Sequence, residues 1–173
     1  MDIGRETEWL LRDKYNGRMT AAAARDVARL KRGEHINYLI GWAPFLDCRI
    51  DLSGKPLIPR PETEHWTKKV LSDIKKSKSP EPKVLDLFCG SGCIGVAALK
   101  HAPEALVDFS DIEKKYFTGI RKSLRANDIN PRRAGYVRSD VLKNIGAKKY
   151  DYILANPPYI PTAGRPVAKS VLS

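Results

Sequence analysis

The chain has 173 residues, 42% of them hydrophobic, the size and composition of one globular domain with room for a small appendage. Lys and Arg number 31 against 20 Asp and Glu, a formal charge of +11. That excess fits a polyanionic neighbour such as RNA or the ribosome, and equally a basic solvated surface with no such partner. It also leaves no apolar run near the ~18 residues of a membrane span, and the N-terminus "MDIGRETEWL" lacks the basic-then-apolar layout of a signal peptide.

In chain order, residues 2–16 read as a helix with Asp2 as N-cap, Trp9, Leu10 and Tyr15 on one side, and Gly17 as the stop. A second helix, "AAAARDVARLKR", follows Thr20 and ends at Gly33. From Phe45 to Leu52 polar and apolar residues alternate, which predicts a strand pair turning near Ser53-Gly54. Helical spacing returns over 63–76, with Trp66, Val70, Leu71 and Ile74 on one stripe. The polar, proline-punctuated "KSKSPEPK" (76–83) reads as a linker.

Beyond it strands and helices alternate. "KVLDLFC", "EALVDFSDI", "AGYVRSD" and "YDYILAN" are strands, while "GSGCIGVAALKHA" and "EKKYFTGIRKSLRAND" are helices. Such alternation predicts an α/β fold with a doubly wound, mainly parallel sheet. The chain thus divides into a helical segment (1–35), a connector with hairpin and helix (36–78) and an α/β domain (79–173). Cys48, Cys89 and Cys93 form an odd, sparse set that fits a reducing cytoplasm, and His35, His65 and His101 lie beside no cysteine pair, so no metal site is expected.

"DLFCGSGCIG" (86–95) contains glycines at 90, 92 and 95 between a predicted strand and a predicted helix. Such a turn lets a ligand approach the backbone ahead of a helix N-terminus. Asp111, about 20 residues on, ends the second strand, where a carboxylate can accept from both hydroxyls of a ribose. A nicotinamide dinucleotide and S-adenosylmethionine both satisfy these features. Asp86 shifts the balance, because a carboxylate beside the turn suits a cationic amino-acid group better than a pyrophosphate. Asp140, ending the third strand, is placed to accept from an adenine amino group. Asp86 as a turn cap and Asp140 as a helix N-cap are the structural alternatives.

The fourth strand runs into "NPPY" (156–159). In a doubly wound sheet, ligands bind beyond the carboxyl ends of the strands where strand order reverses, between the first and fourth strands here. Asn156 offers an amide carbonyl, Pro157 a backbone carbonyl fixed by Pro158, and Tyr159 a flat ring. Two convergent acceptors and a ring face suit a planar NH2 group, which they would orient toward an electrophile such as a sulfonium methyl. The simpler alternative is a proline-rich loop.

At this point the chain resembles the class I methyltransferases that modify planar amino groups, whose signature is Asn, Asp or Ser, then Pro-Pro, then Tyr, Phe or Trp. "LIPRPETE" (57–64), "DLFCGSGCIG" and "NPPYIP" together resemble the HemK/PrmC family, which methylates N5 of the glutamine in the Gly-Gly-Gln motif of peptide chain release factors. The resemblance implies S-adenosylmethionine contacts at Asp86, Gly90, Gly92, Asp111 and Asp140. It implies a grip on the glutamine amide by Asn156, Pro157, Pro158 and Tyr159, with Arg60, Pro61 and Thr63 shaping the pocket. The helical segment would then recognise the release factor. Phe88 and Cys89 depart from the family, which often has a glycine and a small polar residue there. "NPPY" alone also admits nucleic-acid amino methyltransferases of the adenine-N6 type. The fold of this family normally has seven strands, and "IPTAGRPVAKSVLS" contains no apolar run long enough for a fifth. The chain therefore reads as truncated after its fourth strand, and a non-catalytic cofactor-binding fragment is a third reading.

Overall fold

The computed structural model describes residues 2–157. Contacts divide the chain into two compact units, Met1–Trp42 and Ala43–Ser173.

The first unit holds three helices, α1 (Ile3–Tyr15), α2 (Ala21–Lys31) and α3 (Ile36–Ile40). Asp2 caps α1 by accepting from the Gly4 and Arg5 amides, and the Thr20 hydroxyl caps α2 through the Ala23 amide. α1 ends on Asn16 in the left-handed region, one residue before Gly17. Leu10, Leu30, Ile36 and Leu39 form the small core. Beside it the buried Asp26 carboxylate accepts from Lys14 Nζ (2.7 Å), Tyr15 Oη (2.6 Å) and Arg29 Nη1 (2.8 Å). Burial alone would raise this carboxyl, but the Lys14 and Tyr15 hydrogen bonds and the Lys14 charge outweigh it and hold it below the usual range. α3 falls within a span that the sequence reads as connector, and it packs with α1 and α2.

β1 (Trp42–Phe45) and β2 (Cys48–Asp51) form a hairpin. Its turn is Leu46-Asp47, both at positive φ (44° and 59°), as a two-residue hairpin turn requires. The reversal therefore comes before Cys48 and not at Ser53-Gly54, and it resets the alternation so that Phe45, Cys48, Ile50 and Leu52 are all buried. Side chains of α6 (Tyr116–Ala126) and the residue after it bind the outer edge of β2. Asn127 Oδ1 accepts from the Arg49 amide (2.9 Å), its Nδ2 donates to Arg49 O (2.8 Å), and Ser123 Oγ accepts from the Asp51 amide (2.8 Å).

α4 (Pro61–Lys75) starts with proline in its first turn, where a missing N–H costs nothing. Its buried positions are Thr63, Thr67, Leu71 and Ile74, so two threonines share the inward stripe that the sequence assigns to Trp66 and Val70. Four parallel strands follow, β3 (Lys83–Leu87), β4 (Leu106–Asp111), β5 (Ala134–Arg138) and β6 (Tyr152–Ala155), in the order β5-β4-β3-β6. α5 (Cys93–His101) crosses from β3 to β4, and α6 from β4 to β5. Strand order reverses between β3 and β6. β3 sits inside the sheet with Val84 to Leu87 all buried, as a strand covered on both faces must be. The main core joins Val84, Val96, Leu99, Val107, Phe109, Ile120 and Leu124. β6 forms one edge of the described sheet, and its Ile153 is 57% exposed.

Candidate active site

Parallel register gathers the carboxyl ends of the strands at one end of the sheet. Leu87 of β3 pairs with Ser110 of β4 and with Ala155 of β6, so the glycine turn, Asp111 and Asn156 all emerge side by side. Backbone conformation makes that turn: Phe88, Gly90 and Gly92 have φ of 58°, 49° and 71°. Phe88 adopts the left-handed region without being glycine, and the Cys89 amide is pinned to Ser110 O at 3.0 Å. This is how the chain accommodates its departure from the family pattern.

Two carboxylates brace this region, one on the turn and one on the first turn of α5. Asp111 Oδ2 accepts from the Gly90 amide and Oδ1 from the Glu113 amide, both at 2.9 Å. Asp86, 0% exposed, accepts from the Gly95 amide through Oδ2 (2.9 Å), while its buried Oδ1 has no hydrogen-bond partner among the described residues. Burial pushes the Asp86 carboxyl up to about 8; the Gly95 hydrogen bond opposes the rise and the Asp111 charge adds to it. A buried carboxylate oxygen that lacks a donor fits a ligand carrying a cation. Asp111, less enclosed and with lone pairs left after its two amide bonds, fits a hydroxyl pair. The residues present therefore suit S-adenosylmethionine.

The three glycines differ. A Cβ on Gly90 would meet only Phe88 O at 4.0 Å, so this position opens to space. On Gly92 it would lie 2.6 Å from Ile120 Cγ1, and on Gly95 it would overlap the Phe109 ring and lie 2.9 Å from Asp86 Oδ2. Gly92 and Gly95 are bare so that α5 can press against α6 and β4, whereas Gly90 leaves room above the turn. Gly95→Ala is accordingly expected to destabilise the chain by about 1–3 kcal/mol, the usual cost of overpacking a tight core. The readout is the urea midpoint, and an unchanged midpoint would show that Phe109 can step aside.

Asn156 follows β6 and donates from Nδ2 to Thr63 Oγ1 at 3.3 Å. Using its nitrogen this way leaves Oδ1 as the acceptor of the carboxamide, with no donor on it among the described residues. Thr63 is itself buried in the first turn of α4, and next to it Glu64 Oε1 accepts from the Leu46 amide (2.7 Å), tying the hairpin turn to the same helix start. Arg60 is the N-cap residue of α4 and Pro61 its first residue. The "RPETE" segment thus reaches the end of β6 through Thr63, a contact across 93 residues that no local pattern announces. Pro157, the next residue, is exposed. Pro158 and Tyr159 lie outside the described residues. Asp140 stands two residues beyond β5, half exposed, with its carboxylate on Lys143 Nζ. Cys89 and Cys93 are buried free thiols, both raised by burial above all, Cys93 to about 12, so neither is a ready nucleophile.

Residues 63–171 match the family model described as the methyltransferase small domain. Curated relatives named release factor glutamine methyltransferase include one from Lactococcus lactis, 32% identical over 151 residues that make up 87% of this chain and 53% of the relative. Another, from Bacteroides thetaiotaomicron, is 34% identical over 137 residues, 78% of this chain and 46% of the relative. The chain spans about half the length of the curated relatives it matches. Among solved structures, a SAM-dependent methyltransferase from Agrobacterium tumefaciens superposes with TM-score 0.52 at 23% identity, over 58% of this chain and 33% of that one. The N-terminal domain of human METTL16 superposes with TM-score 0.50 at 16% identity, over 92% of this chain and 64% of that one. These likenesses show the class I methyltransferase fold that the strand order already has. Matched over more than half its length, the chain belongs to the methyltransferase small domain family.

Proposed function

We propose that the chain carries the cofactor site and the amide-gripping asparagine of a methyltransferase that modifies N5 of the glutamine in the Gly-Gly-Gln motif of peptide chain release factors. The observation that supports this best is the placement of Asn156: one strand over from the glycine turn, at the same end of the sheet, with its carboxamide nitrogen spent on Thr63. Names carried by the relatives support the substrate. A cytoplasmic setting goes with a translation factor as target.

S-adenosylmethionine would supply an electrophilic methyl on a sulfonium. Asp86, Gly90, Gly92 and Asp111 hold that cofactor in this reading, with Asp140 near its adenine. Asn156 Oδ1 and Pro157 O accept the two protons of the glutamine amide, which turns the nitrogen lone pair toward the methyl and stabilises the positive charge that grows there. Pro158 keeps Pro157 extended, and Tyr159 gives the amide plane a ring to lie against. The helical segment 1–35 serves release-factor recognition, and 36–78 joins it to the catalytic part.

The decisive assay offers labelled S-adenosylmethionine with a release factor, with the same factor carrying Gln→Ala in Gly-Gly-Gln, and with DNA or RNA. Label is expected in the intact factor alone. Label in nucleic acid would establish the amino-methyltransferase reading instead. Cofactor binding without transfer to either would leave a binding fragment.

A further inference from the structure

A cleft of about 400 Å³ opens at the other end of the sheet, among the N-terminal ends of β3, β4 and β5. Five cations line it: Lys83, Arg132, Arg133, Lys148 and Lys149. Asp108 is the one acid among the lining residues; Asp151, whose carboxylate accepts from the Lys83 amide, and Glu104, close to Arg133, stand near the rim. The balance is positive even with all three acids counted.

The Asp108 charge is already engaged. Its Oδ2 accepts from Lys148 Nζ (3.0 Å) and Tyr150 Oη (2.7 Å), and its Oδ1 lies where a Cβ on Gly135 would overlap it. Arg133 is fixed by neutral acceptors, its Nη1 on Ala102 O (3.1 Å), Pro103 O (2.5 Å) and Ala105 O (3.2 Å) and its Nη2 on Leu99 O (2.5 Å). Those carbonyls, the end of α5 among them, offset only part of a full positive charge. Lys83, Arg132 and Lys149 are exposed and make no ion pair among the described residues. Three unpaired cations thus ring a concave site whose other two are held in place.

We propose that this cleft docks the phosphate backbone of single-stranded RNA. A protein partner draws most of its binding energy from buried aromatic and aliphatic anchors. The apolar lining here is Val84 and Val107, both buried, with Leu106, Ala134 and the Tyr150 ring half-buried and the Tyr150 hydroxyl tied to Asp108, so no large apolar group stands fully exposed for such a partner. Phosphate contacts need only accessible cations and a favourable field, which the chain's +11 supplies. The cleft lies a strand's length, roughly 15 Å, from Gly90 and Asn156. It is therefore a docking surface apart from the glycine turn and Asn156.

The test follows a labelled RNA of about 12 nucleotides by fluorescence anisotropy against the whole chain across a salt series. The triple variant K83E/R132E/K149E is expected to bind at least about tenfold more weakly, and its log K against log salt slope should flatten by about 2, three contacts at about 0.7 each. The control variant K31E/K68E/K69E changes charge equally on other exposed residues and should stay within about twofold of the parent at the same salt. The neutral triple K83Q/R132Q/K149Q should fall between parent and charge reversal. Equal losses in cleft and control variants would reduce the effect to diffuse charge and overturn the proposal. So would no binding by the parent, or displacement of the RNA by poly-glutamate at matched charge.

Discussion

Asn156→Ala is expected to slow methyl transfer by about 10²–10³-fold, the range seen when one preorganised hydrogen-bond partner of a developing charge is removed. Cofactor affinity should stay within about twofold, since Asn156 braces neither carboxylate of the glycine turn. The bond from Nδ2 to Thr63 predicts a companion result: Thr63→Val should cost turnover in the same direction but less, by freeing the carboxamide to rotate. Asp111→Ala should show the opposite profile. It removes the proposed ribose acceptor and also strands the Gly90 and Glu113 amides, so dissociation constants should rise by about tenfold or more. Calorimetry with S-adenosylmethionine and single-turnover label transfer separate the two effects. If both variants lost affinity alone, the division of labour between β4 and β6 would be wrong.

Asp86→Asn is expected to change how stability depends on pH. The Asp86 carboxyl sits at about 8 in the folded chain against an ordinary 3.8, because burial penalises its charged form. Between those values the folded state keeps a proton that the unfolded state has released. Stability is therefore highest at the acid end of the window and falls as pH rises toward 8, by up to about 1.4 kcal/mol per pH unit. Asparagine still accepts from the Gly95 amide and cannot ionise, so the variant should lose that slope. Asp26 works in the other direction and lower down: its depressed carboxyl contributes stability that disappears only as pH falls below the ordinary carboxylate range. The two are thus separable by urea unfolding at about pH 5 and about pH 8. S-adenosylmethionine should favour the ionised Asp86, so binding near neutrality should release a proton, visible as a buffer-dependent heat in the parent and absent from Asp86→Asn. An unchanged pH slope in the variant would mean that Asp86 is already ionised in the free chain.

Much of this is legible in the sequence. Alternating apolar strands and amphipathic helices determine the topology, and topology alone brings Asp86, Gly90, Asp111 and Asn156 to one end of the sheet. The Asp2 cap is equally plain, because it acts on amides two and three positions away, while Thr20 marks where the second helix starts. The hairpin turn is not. Leu46-Asp47 takes the positive φ values usually signalled by Asn-Gly, and its strain is met by distant bonds, Glu64 to the Leu46 amide and His101 to the Leu46 carbonyl. Nor could the glycines be told apart, since what separates Gly90 from Gly92 and Gly95 is the position of Ile120 and Phe109. The family resemblance implies a pocket role for Thr63, but its bond to Asn156 and its place in the α4 stripe depend on packing that no spacing rule encodes.

Asn127 holds Arg49 by both its N–H and its carbonyl, in the way a neighbouring strand would, and Ser123 does the same for the Asp51 amide. The hairpin consequently shows no bare ladder on that side for a foreign peptide to zip onto. Molecules crowded together should not stack through β2, and exchanging Asn127 for leucine should leave the Arg49 amide and carbonyl open to such pairing.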